Sequence, residues 1–350
     1  MFVSSLKIKT FRCFETLTLE FNEPITVLEG PNGAGKTSVI EALYYACYLR
    51  SFKTHLPREL VRWESDHFFL ALEGHSETQE PWELKIAATA LKRLVKADGV
   101  ALSSYKELFD RYRVIVLGAH DMELVQGSPE ERRQFIDHAI LLTDPLYIQK
   151  MRTLKKILRQ RNAFLSHVSQ GRFDAETYEV WTEQLQKATL LIREERKAYS
   201  KILEAELQKL VNQHLPSKGL NIELRYQEGD ETNCSPEREI SARRSLQGAH
   251  LDEIQILWNG QSARRFASRG QHKLLIYFLK LAQLTVLQKP AIVLIDDFVT
   301  DFDDERTELL VQLLCKKGRQ VIFTTPSGSS LFRQLKEKNF SAECKFIGIN

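Results

Sequence analysis

The stretch that determines the fold is GPNGAGKT, at residues 30–37. Its members are Gly30, Pro31, Asn32, Gly33, Ala34, Gly35, Lys36 and Thr37. The stretch matches the pattern GxxxxGK[ST] completely, and it lies between an apolar run at 25–28 and a helical pattern that begins near Lys36. Glycines let the backbone wrap closely around an anion, so that N–H groups and the helix N-terminus face phosphate oxygens. The stretch therefore predicts a P-loop that binds the phosphates of a nucleotide.

Two side chains of the loop, and two acids far along the chain, have predicted roles in phosphate chemistry. Lys36 is expected to reach the β- and γ-phosphates of ATP, and the Thr37 hydroxyl is expected to ligate Mg²⁺. A P-loop also needs a carboxylate on a second strand, and an apolar run at 292–295 ends in Asp296 and Asp297. Asp296 is the predicted partner of Mg²⁺, directly or through water. Asp297 is predicted to orient or deprotonate the attacking water.

A second anion site is predicted at the start of a later helix, which runs to about residue 287. It consists of Ser268, Arg269, Gly270 and Gln271, named here the signature segment. A Ser and a Gly at a helix N-terminus favour the binding of an anion. Because the P-loop already holds the γ-phosphate of its own chain, we expect this site to face the nucleotide of another subunit.

The order of the hydrophobic patterns predicts a head that is interrupted in sequence. Short alternating strands dominate the beginning of the chain, whereas strands and helices alternate near its end, which implies a parallel sheet. Between 145 and 210 apolar residues recur at helical spacing, with a turn at 171–174. We predict two antiparallel helices packed as a short arm, the alternative being two helices that lie flat on the head. The predicted divisions are 1–143 and 215–350 for the head and 144–214 for the arm.

The composition excludes several classes of protein. Charged residues make up 27% and hydrophobic residues 43% of the chain, which is typical of a globular protein. No apolar run is long enough to span a membrane, and the N-terminal residues lack the pattern of a secretory signal. The five cysteines are widely spaced and form no CxxC pair, so we expect buried thiols and a cytoplasmic protein.

Several segments resemble the ABC ATPase superfamily and, within it, the RecF family of bacterial recombination-repair proteins. They are IKTFRCF at 8–14, LRSFKT at 49–54, QGSPEERRQFID at 126–137, LRQRN at 158–162, SRGQ at 268–271 and LKLA at 279–282. These segments follow the order of the family. The resemblance implies an α/β fold: an ABC-type P-loop ATPase head with a mixed β-rich lobe, a parallel-sheet core and an inserted antiparallel coiled-coil arm.

The resemblance also implies how such a protein works. Two heads would enclose two ATP molecules with Mg²⁺, each bound by Lys36 of one subunit and by Ser268 and Gly270 of the other. Thr325 stands near the position that senses the γ-phosphate. The implied function is weak ATP hydrolysis coupled to clamping of duplex DNA near single-strand gaps or stalled forks. RecR and RecO are the implied partners in recombinase loading.

Three segments depart from the family pattern. At 118–121 the chain has GAHD, where the family has an aromatic, a Pro and a Glu before the Asp. At 248–253 it has GAHLDE, which lacks the Pro and the Arg of the family's GPHRDD. At 300–303 it has TDFD in place of the family's SELD. These departures concern the coupling of ATP to DNA rather than ATP binding. Asp297, which is shorter than the usual Glu, leaves a longer gap to the attacking water, and we therefore expect slow hydrolysis.

Clusters of basic residues are the predicted DNA contacts, mainly to phosphates. The principal candidates are Lys53, Arg58, Arg62, Arg152, Lys155, Lys156 and Arg159. Further cations in these clusters are Arg161, Arg193, Arg196, Lys197, Arg243, Arg244, Arg264 and Arg265. The net charge of +3 by itself does not indicate nucleic acid.

Two other classes of ATPase remain as alternatives. An SMC-like or defence-type ATPase with another nucleic-acid or protein target shares these motifs. The nucleotide-binding subunit of a transporter shares the P-loop, but the basic arm and the absence of an LSGGQ-type signature argue against it.

Overall fold

The computed structural model describes residues 1–102, 106–168, 173–215, 219–232, 234–297, 304–317, 320–327 and 344–349. The chain divides into two compact units. The first comprises Met1–Asp121 and Gln288–Asn350, and the second comprises Met122–Leu287. The predicted turn at 171–174 lies partly outside the described residues, and the segment 300–303 lies wholly outside them. The predicted boundaries of the arm at 144 and 214 stay predictions.

One sheet of the first unit is antiparallel and has the strand order β2-β1-β4-β5-β6-β7. Its strands are β1 (Phe2–Phe11), β2 (Phe14–Glu20), β4 (His67–His75), β5 (Pro81–Thr89), β6 (Arg93–Ala97) and β7 (Val100–Ala101). In β1, Leu6 and Ile8 are buried while Lys7 and Lys9 are exposed. This period of two is the predicted alternation, and it turns one face of the sheet to the core.

The other sheet of the first unit is parallel and has the order β14-β3-β13-β12-β8. Its strands are β3 (Ile25–Gly30), β8 (Val114–Gly118), β12 (Ile292–Asp296), β13 (Gln320–Pro326) and β14 (Cys344–Gly348). The continuous apolar runs in β3, β8 and β12 fit a sheet that is covered on both faces. Since β13 lies between β3 and β12, the carboxyl ends of these three strands meet at one edge.

Helix α1 (Lys36–Tyr48) lies between the two sheets of the first unit and contacts strands of both. Eleven of its thirteen residues are buried, as expected of a helix with apolar neighbours on all sides. The first unit also contains α2 (Lys106–Arg111) and α10 (Asp304–Lys317). The strand β3, the loop and α1 thus form the context that the P-loop motif requires.

The second unit is mainly helical. Its helices are α3 (Glu123–Gln126), α4 (Pro129–Thr143), α5 (Tyr147–Val168), α6 (Ala175–His214), α7 (Pro236–Ala242), α8 (Ala263–Phe266) and α9 (Arg269–Leu287). A small antiparallel sheet has the order β11-β10-β9, from β9 (Ile222–Gln227), β10 (Glu253–Trp258) and β11 (Gln261–Ser262).

The predicted antiparallel helix pair is confirmed. Near the start of α5, Lys150 lies 2.5 Å from Glu195 of α6, and further along α5 the guanidinium of Arg161 donates to the Thr182 hydroxyl at 3.0 Å. As residue numbers rise in α5 they fall in α6, so the helices run in opposite directions. Helix α6 continues past α5 and packs on α4, α9 and β9, and it therefore contributes to the core of the second unit.

Buried ion pairs connect the family-like segments within the second unit. Arg196 of α6 donates to both carboxylate oxygens of Asp137 at 2.7 and 2.8 Å. Arg193 donates to Asp252, which also accepts hydrogen bonds from Tyr226 and from the Gly229 N–H. Burial alone would raise the pKa of the Asp252 carboxyl, but these hydrogen bonds hold that pKa below its ordinary value. The segments 126–137 and 248–253 therefore have a structural role in this unit.

Among the residues that the structure describes, no helix is both long and apolar enough to cross a membrane.

Candidate nucleotide site

The P-loop connects β3 to α1 through a backbone that only glycine adopts without strain. Gly35 has a φ of +97°, in the left-handed region. A Cβ atom at this position would lie 2.5 Å from the Phe14 ring and 2.6 Å from the Cys13 sulfur. Both the backbone and the space therefore require glycine, which explains its place in the motif.

The Lys36 side chain is folded back into the loop. It is 8% exposed, and its ammonium group donates to the carbonyl oxygens of Gly30 and Pro31 at 2.8 and 2.9 Å. A cation held inside a ring of backbone groups is already positioned for phosphate oxygens. Little side-chain entropy remains to be lost when they bind.

Three side chains meet where the parallel strands end. The Thr37 hydroxyl donates to Asp296 Oδ1 at 2.8 Å, and the Thr324 hydroxyl donates to the same oxygen at 2.9 Å. The neighbouring Asp297 is exposed, has a φ of +51°, and donates its N–H to Thr324 Oγ1 at 3.0 Å. A hydroxyl beside a carboxylate is the oxygen donor set that Mg²⁺ prefers, so the side chains present fit a magnesium ion with a nucleotide.

The position of Thr325 differs from what its predicted role suggests. Thr325 is fully buried, and its hydroxyl lies 3.4 Å from the Pro326 carbonyl oxygen. Thr324 faces the site instead, because neighbouring residues of a strand point to opposite faces. The role of Thr325 stays a prediction, and Thr324 was not among the predicted site residues.

These groups border an open cleft of about 690 Å³, named here the P-loop cleft. This volume is within the range of ~300–1,000 Å³ that is usual for small-molecule sites. Besides the P-loop, Asp296, Asp297 and Thr324, its lining includes Arg12, Cys13, Lys53, Glu59 and Val61. None of these five was predicted to be near the nucleotide, and Lys53 was predicted to contact DNA. The signal in sequence is that Arg12, Cys13 and Lys53 belong to the family-like segments 8–14 and 49–54.

A buried carboxylate holds Arg12 directly and, through Ser51, the turn that carries Lys53. Glu41 of α1 is fully buried and accepts two hydrogen bonds from Arg12, at 2.6 and 2.7 Å. It also accepts a hydrogen bond from the Ser51 hydroxyl. Ser51 Oγ in turn accepts the backbone N–H groups of Lys53 and Thr54 at 2.8 and 3.1 Å. One carboxylate thus orients the Arg12 guanidinium and the turn that carries Lys53.

Glu41→Gln is expected to weaken nucleotide binding about tenfold, the effect of losing one charge-assisted hydrogen bond. The substitution keeps the shape of the side chain but removes the charge that opposes Arg12. Equilibrium titration with a fluorescent ATP analogue measures the effect. Glu59→Gln is the matched control, because Glu59 lines the same cleft but contacts Arg12 only through its carbonyl oxygen. Equal affinities of the two variants would contradict the positioning role of Glu41.

The segment 118–121, which differs from the family pattern, adjoins the nucleotide site in the first unit. Gly118 pairs with Asp296 in the sheet, and its N–H donates to Asp121 Oδ2 at 2.9 Å. The His120 ring stacks on Phe52, with centroids 4.7 Å apart. The segment therefore borders the acidic strand end and contacts the turn that carries Lys53.

The signature segment forms the N-terminus of α9 in the second unit. The Ser268 hydroxyl accepts the Gln271 N–H at 3.3 Å, and the Gln271 side chain accepts the Ser268 N–H at 2.7 Å. This reciprocal pair is a capping box. Ser268, Arg269 and Gly270 are exposed, and the N–H groups of Arg269 and Gly270 have no acceptor within the helix. A Cβ at Gly270 would meet no atom within 4 Å, so the surface beside it is open.

The basic residues predicted as DNA contacts divide into two groups. Arg152, Lys155, Lys156 and Arg159 are exposed, and their side chains make no hydrogen bond or ion pair with other described residues. Their spacing places them on one face of α5, a helix whose sequence contains no Asp or Glu. Of the other three principal candidates, Lys53 lines the P-loop cleft, Arg58 is exposed, and Arg62 lies 3.8 Å from Glu15.

Three of the remaining arginines were wrongly grouped with a DNA surface. Arg161, Arg193 and Arg196 are 0%, 6% and 5% exposed, and each is paired with a carboxylate. Lys197 is half-exposed and pairs with Glu228. Buried guanidinium groups cannot reach a DNA phosphate, so these arginines are corrected to structural residues.

The parallel sheet, the P-loop after β3 and the acidic end of β12 define a P-loop ATPase head. In agreement, the model of a family described as an AAA domain matches residues 5–239, which is more than half of the chain. The chain belongs to this family of AAA-domain proteins.

Relatives of similar length carry one name, DNA replication and repair protein RecF. The RecF of Citrifermentans bemidjiense is 29% identical over 343 residues, which covers 92% of each chain. That of Thermosynechococcus vestitus is 28% identical over 346 residues, covering 93% of this chain and 91% of the relative. The predicted resemblance to the RecF family is confirmed.

Solved structures confirm the predicted fold class. One similar structure is that of the recombination mediator protein RecF with ATP, described within the RecFOR pathway. Its TM-score is 0.84 at 22% identity, and the match covers 94% of this chain and 92% of that chain. The Smc head domain of Pyrococcus furiosus has a TM-score of 0.57 at 15% identity, with 99% and 93% covered. The fold is therefore an ABC-type ATPase head of the RecF and Smc kind.

Proposed function

We propose that the protein is an ATPase of DNA replication and repair, in which ATP joins two copies that clamp duplex DNA near gaps or stalled forks. One observation carries the proposal: the chain has a complete P-loop cleft and, in its other unit, an exposed helix N-terminus suited to an anion. The name of its relatives, DNA replication and repair protein, and the ATP in a similarly folded structure support this function.

The residues at the site have distinct roles in this proposal. The backbone of the P-loop and Lys36 bind the β- and γ-phosphates, and Arg12 and Lys53 add positive charge to the wall of the cleft. Thr37 and Asp296 hold Mg²⁺, which neutralises phosphate charge when it is bound with ATP. Asp297, as base, orients the attacking water and accepts its proton. Thr324 positions Asp296 and Asp297 through its hydroxyl, and Thr325 remains the proposed sensor of the γ-phosphate from the neighbouring position.

The second copy completes the site in the proposed dimer. Its Ser268, Arg269, Gly270 and Gln271 face the γ-phosphate, with two helix N–H groups and one arginine available as donors. Because each chain provides both halves, two copies would enclose two ATP molecules symmetrically. Hydrolysis removes the anion that both copies share, and the copies then separate. Asp297 has a short side chain, and we therefore propose slow turnover.

Ser268→Arg is expected to abolish ATP-dependent dimerisation at protein concentrations where the unaltered chain dimerises fully. The substitution removes the hydroxyl cap and places a long side chain on the surface that meets the partner's nucleotide. Sedimentation velocity with and without ATP measures the dimer. Gln261→Arg adds the same charge at an exposed position of the same unit and should dimerise normally. A Ser268→Arg variant that dimerises like this control would refute the shared site.

The exposed face of α5 is the proposed DNA contact. Its four cations extend over two turns, and the absence of acids on the helix leaves their field uncompensated along it. Such cations bind the phosphate backbone without reading sequence. Arg58 and Arg62 remain candidates, whereas Lys53 is reassigned to the nucleotide.

Replacing Arg152, Lys155, Lys156 and Arg159 together with Ala is expected to reduce the slope of log affinity against log salt concentration. The reduction should be about 0.9 for each DNA phosphate that the protein no longer neutralises. Fluorescence anisotropy of labelled duplex DNA at several salt concentrations measures the slope. Replacing Lys187 and Lys201, exposed cations of α6, provides the control. An unchanged slope in the α5 variant would exclude this face as the DNA-binding surface.

The biological partners follow from the same proposal. RecR and RecO are the proposed partners, and loading of a recombinase on single strands is the proposed outcome. ATP turnover with and without gapped DNA distinguishes this function from that of an ATPase with a different target. Stimulation by gapped DNA supports it, and a rate indifferent to DNA refutes the proposed coupling.

A further inference from the structure

A cavity of about 340 Å³ lies in the second unit, bordered by the short helix α8. Val125 and Leu257, both buried, form its apolar part, named here the floor, and Leu257 lies on the same face of β10 as Gln255, which also lines the cavity. Arg264 and Arg265 also line it, and both are exposed. The volume is at the lower end of the range for binding sites, ~300–1,000 Å³. Neither the nucleotide chemistry nor the face of α5 involves this cavity.

The charges around the cavity are not balanced. Arg132 donates to both carboxylate oxygens of Glu253 at 2.9 Å, and also to the carbonyl oxygens of Leu124 and Gly127. Arg132 and Glu253 therefore compensate each other. The guanidinium groups of Arg264 and Arg265 have no hydrogen bond or ion pair with any described residue. Two guanidinium groups thus remain available to a ligand that enters the cavity.

We propose that this cavity binds a short acidic segment of a protein partner. An apolar side chain of the segment enters the floor, and its carboxylates pair with Arg264 and Arg265. A planar guanidinium matches a carboxylate with two parallel hydrogen bonds. Next to these arginines, Phe266 is 65% exposed, and the combination of arginine, an exposed aromatic ring and an apolar pocket is typical of protein interfaces.

A nucleic acid fits this cavity less well than a peptide does. A DNA duplex presents its phosphates and keeps its bases stacked inside, so it offers no apolar group to fill the floor. The four exposed cations of α5 provide such a surface, whereas the arginines of α8 border a concave site. The lining therefore favours an occupant that carries both apolar and acidic groups.

The occupant would contact the segment that precedes the signature. The Ala263 carbonyl oxygen lies 2.8 Å from Nε2 of His272, and a carbonyl only accepts, so Nε2 carries the proton. Nδ1 of His272 then accepts from the Gln126 amide at 3.0 Å. His272 thus attaches α8 to the first turn of α9. An effect of the bound peptide on ATP-dependent dimerisation rests on the proposed function. Binding of the peptide to the cavity does not depend on that function.

The test uses the full chain and labelled peptides. A short fluorescein-labelled peptide that alternates aspartate with leucine is titrated by anisotropy, together with versions carrying asparagine for aspartate or serine for leucine. The double variant Arg264→Ala, Arg265→Ala is expected to lose at least about tenfold in affinity. The control is Arg243→Ala, Arg244→Ala, which removes the same charge from exposed positions of the same unit outside the cavity. Denaturant unfolding at the same midpoint as the unaltered chain confirms that each variant is folded.

A second variant tests whether the space in the cavity is needed for binding, independently of the two arginines. Ser262→Trp keeps both arginines but places a large side chain among the lining residues, and it should also weaken the peptide about tenfold. The proposal is supported if both variants, but not the control pair, lose affinity for the peptide, and if that affinity depends on the aspartates and leucines of the peptide. No binding by the unaltered chain, equal loss in the control pair, or retained binding in Ser262→Trp overturns it. Displacement of the peptide by duplex DNA in the α5 variant would also overturn it, because the cavity would then be a nucleic-acid site.

Discussion

Lys36→Ala is expected to lower the affinity for ATP about a hundredfold, the effect of losing two charge-assisted hydrogen bonds. The ammonium group already lies inside the loop, within 2.8 and 2.9 Å of two carbonyl oxygens, so it reaches phosphate oxygens without reorganisation of the backbone. Alanine leaves the anion with backbone N–H groups alone. Equilibrium titration with a fluorescent ATP analogue measures the loss.

The control for Lys36→Ala is Lys9→Ala, at an exposed position of β1 in the same unit. It changes the net charge equally and should leave the affinity for ATP unaltered. Sedimentation with ATP should show that Lys36→Ala remains monomeric where the control dimerises. An Ala variant that binds ATP within a few-fold of the control would show that Lys36 is not a phosphate ligand.

Arg161→Ala is expected to destabilise the protein by about 3–5 kcal/mol, the usual cost of removing one partner from a buried ion pair. Arg161 and Glu239 are both fully buried, and the guanidinium donates to the two carboxylate oxygens at 2.5 and 3.0 Å. Burial alone would raise the pKa of Glu239. Hydrogen bonds from Arg161, the Leu246 N–H and Tyr178 instead hold that pKa below its ordinary value. Without Arg161 a buried carboxylate loses its counter-charge. Denaturant unfolding measures the change in free energy.

Arg159→Ala is the matched control, two residues away on the same helix. Arg159 is exposed, and its replacement should change stability by no more than about 0.5 kcal/mol. A double variant, Arg161→Met with Glu239→Leu, should recover part of the stability, because it removes both buried charges. If Arg161→Ala unfolds at the same denaturant concentration as Arg159→Ala, the pair is not a structural anchor.

The contrast between Arg159 and Arg161 shows a limit of charge counting. Both residues belong to one basic helix, but Arg161 continues the buried stripe of Leu154, Ile157 and Leu165, whereas Arg159 lies on the exposed face. Burial depends on the phase of the helix relative to Glu239 and Thr182, which lie 78 and 21 positions further along the chain. The helical period indicates which face is buried, whereas the carboxylate that pairs with a buried arginine is known only from the tertiary structure. The same reason explains the corrected positions of Arg193 and Arg196.

Strands were predicted where their period was clear and missed elsewhere. The runs at 25–28 and 292–295 became β3 and β12, whereas β8, β10 and β14 were not predicted. Strand β8 is a continuous apolar run, VIVLG, and a scan for buried parallel strands would have found it. Strand β14 is short and half-buried, and it depends on pairing with β3, so its own sequence carries a weak signal.

The sequence by itself determined the P-loop, the acidic strand end and the signature segment. Phosphate binding depends on backbone geometry, a lysine and a hydroxyl within one contiguous stretch, and such short-range chemistry is visible in the order of residues. Only the tertiary structure decided that Arg12 and Lys53 line the P-loop cleft, and that Thr324 contacts Asp296. It also decided that Glu41 holds Arg12 directly and the turn of Lys53 through Ser51. These groups come from separate strands and turns, and their proximity results from sheet order and packing, which no spacing along the chain encodes.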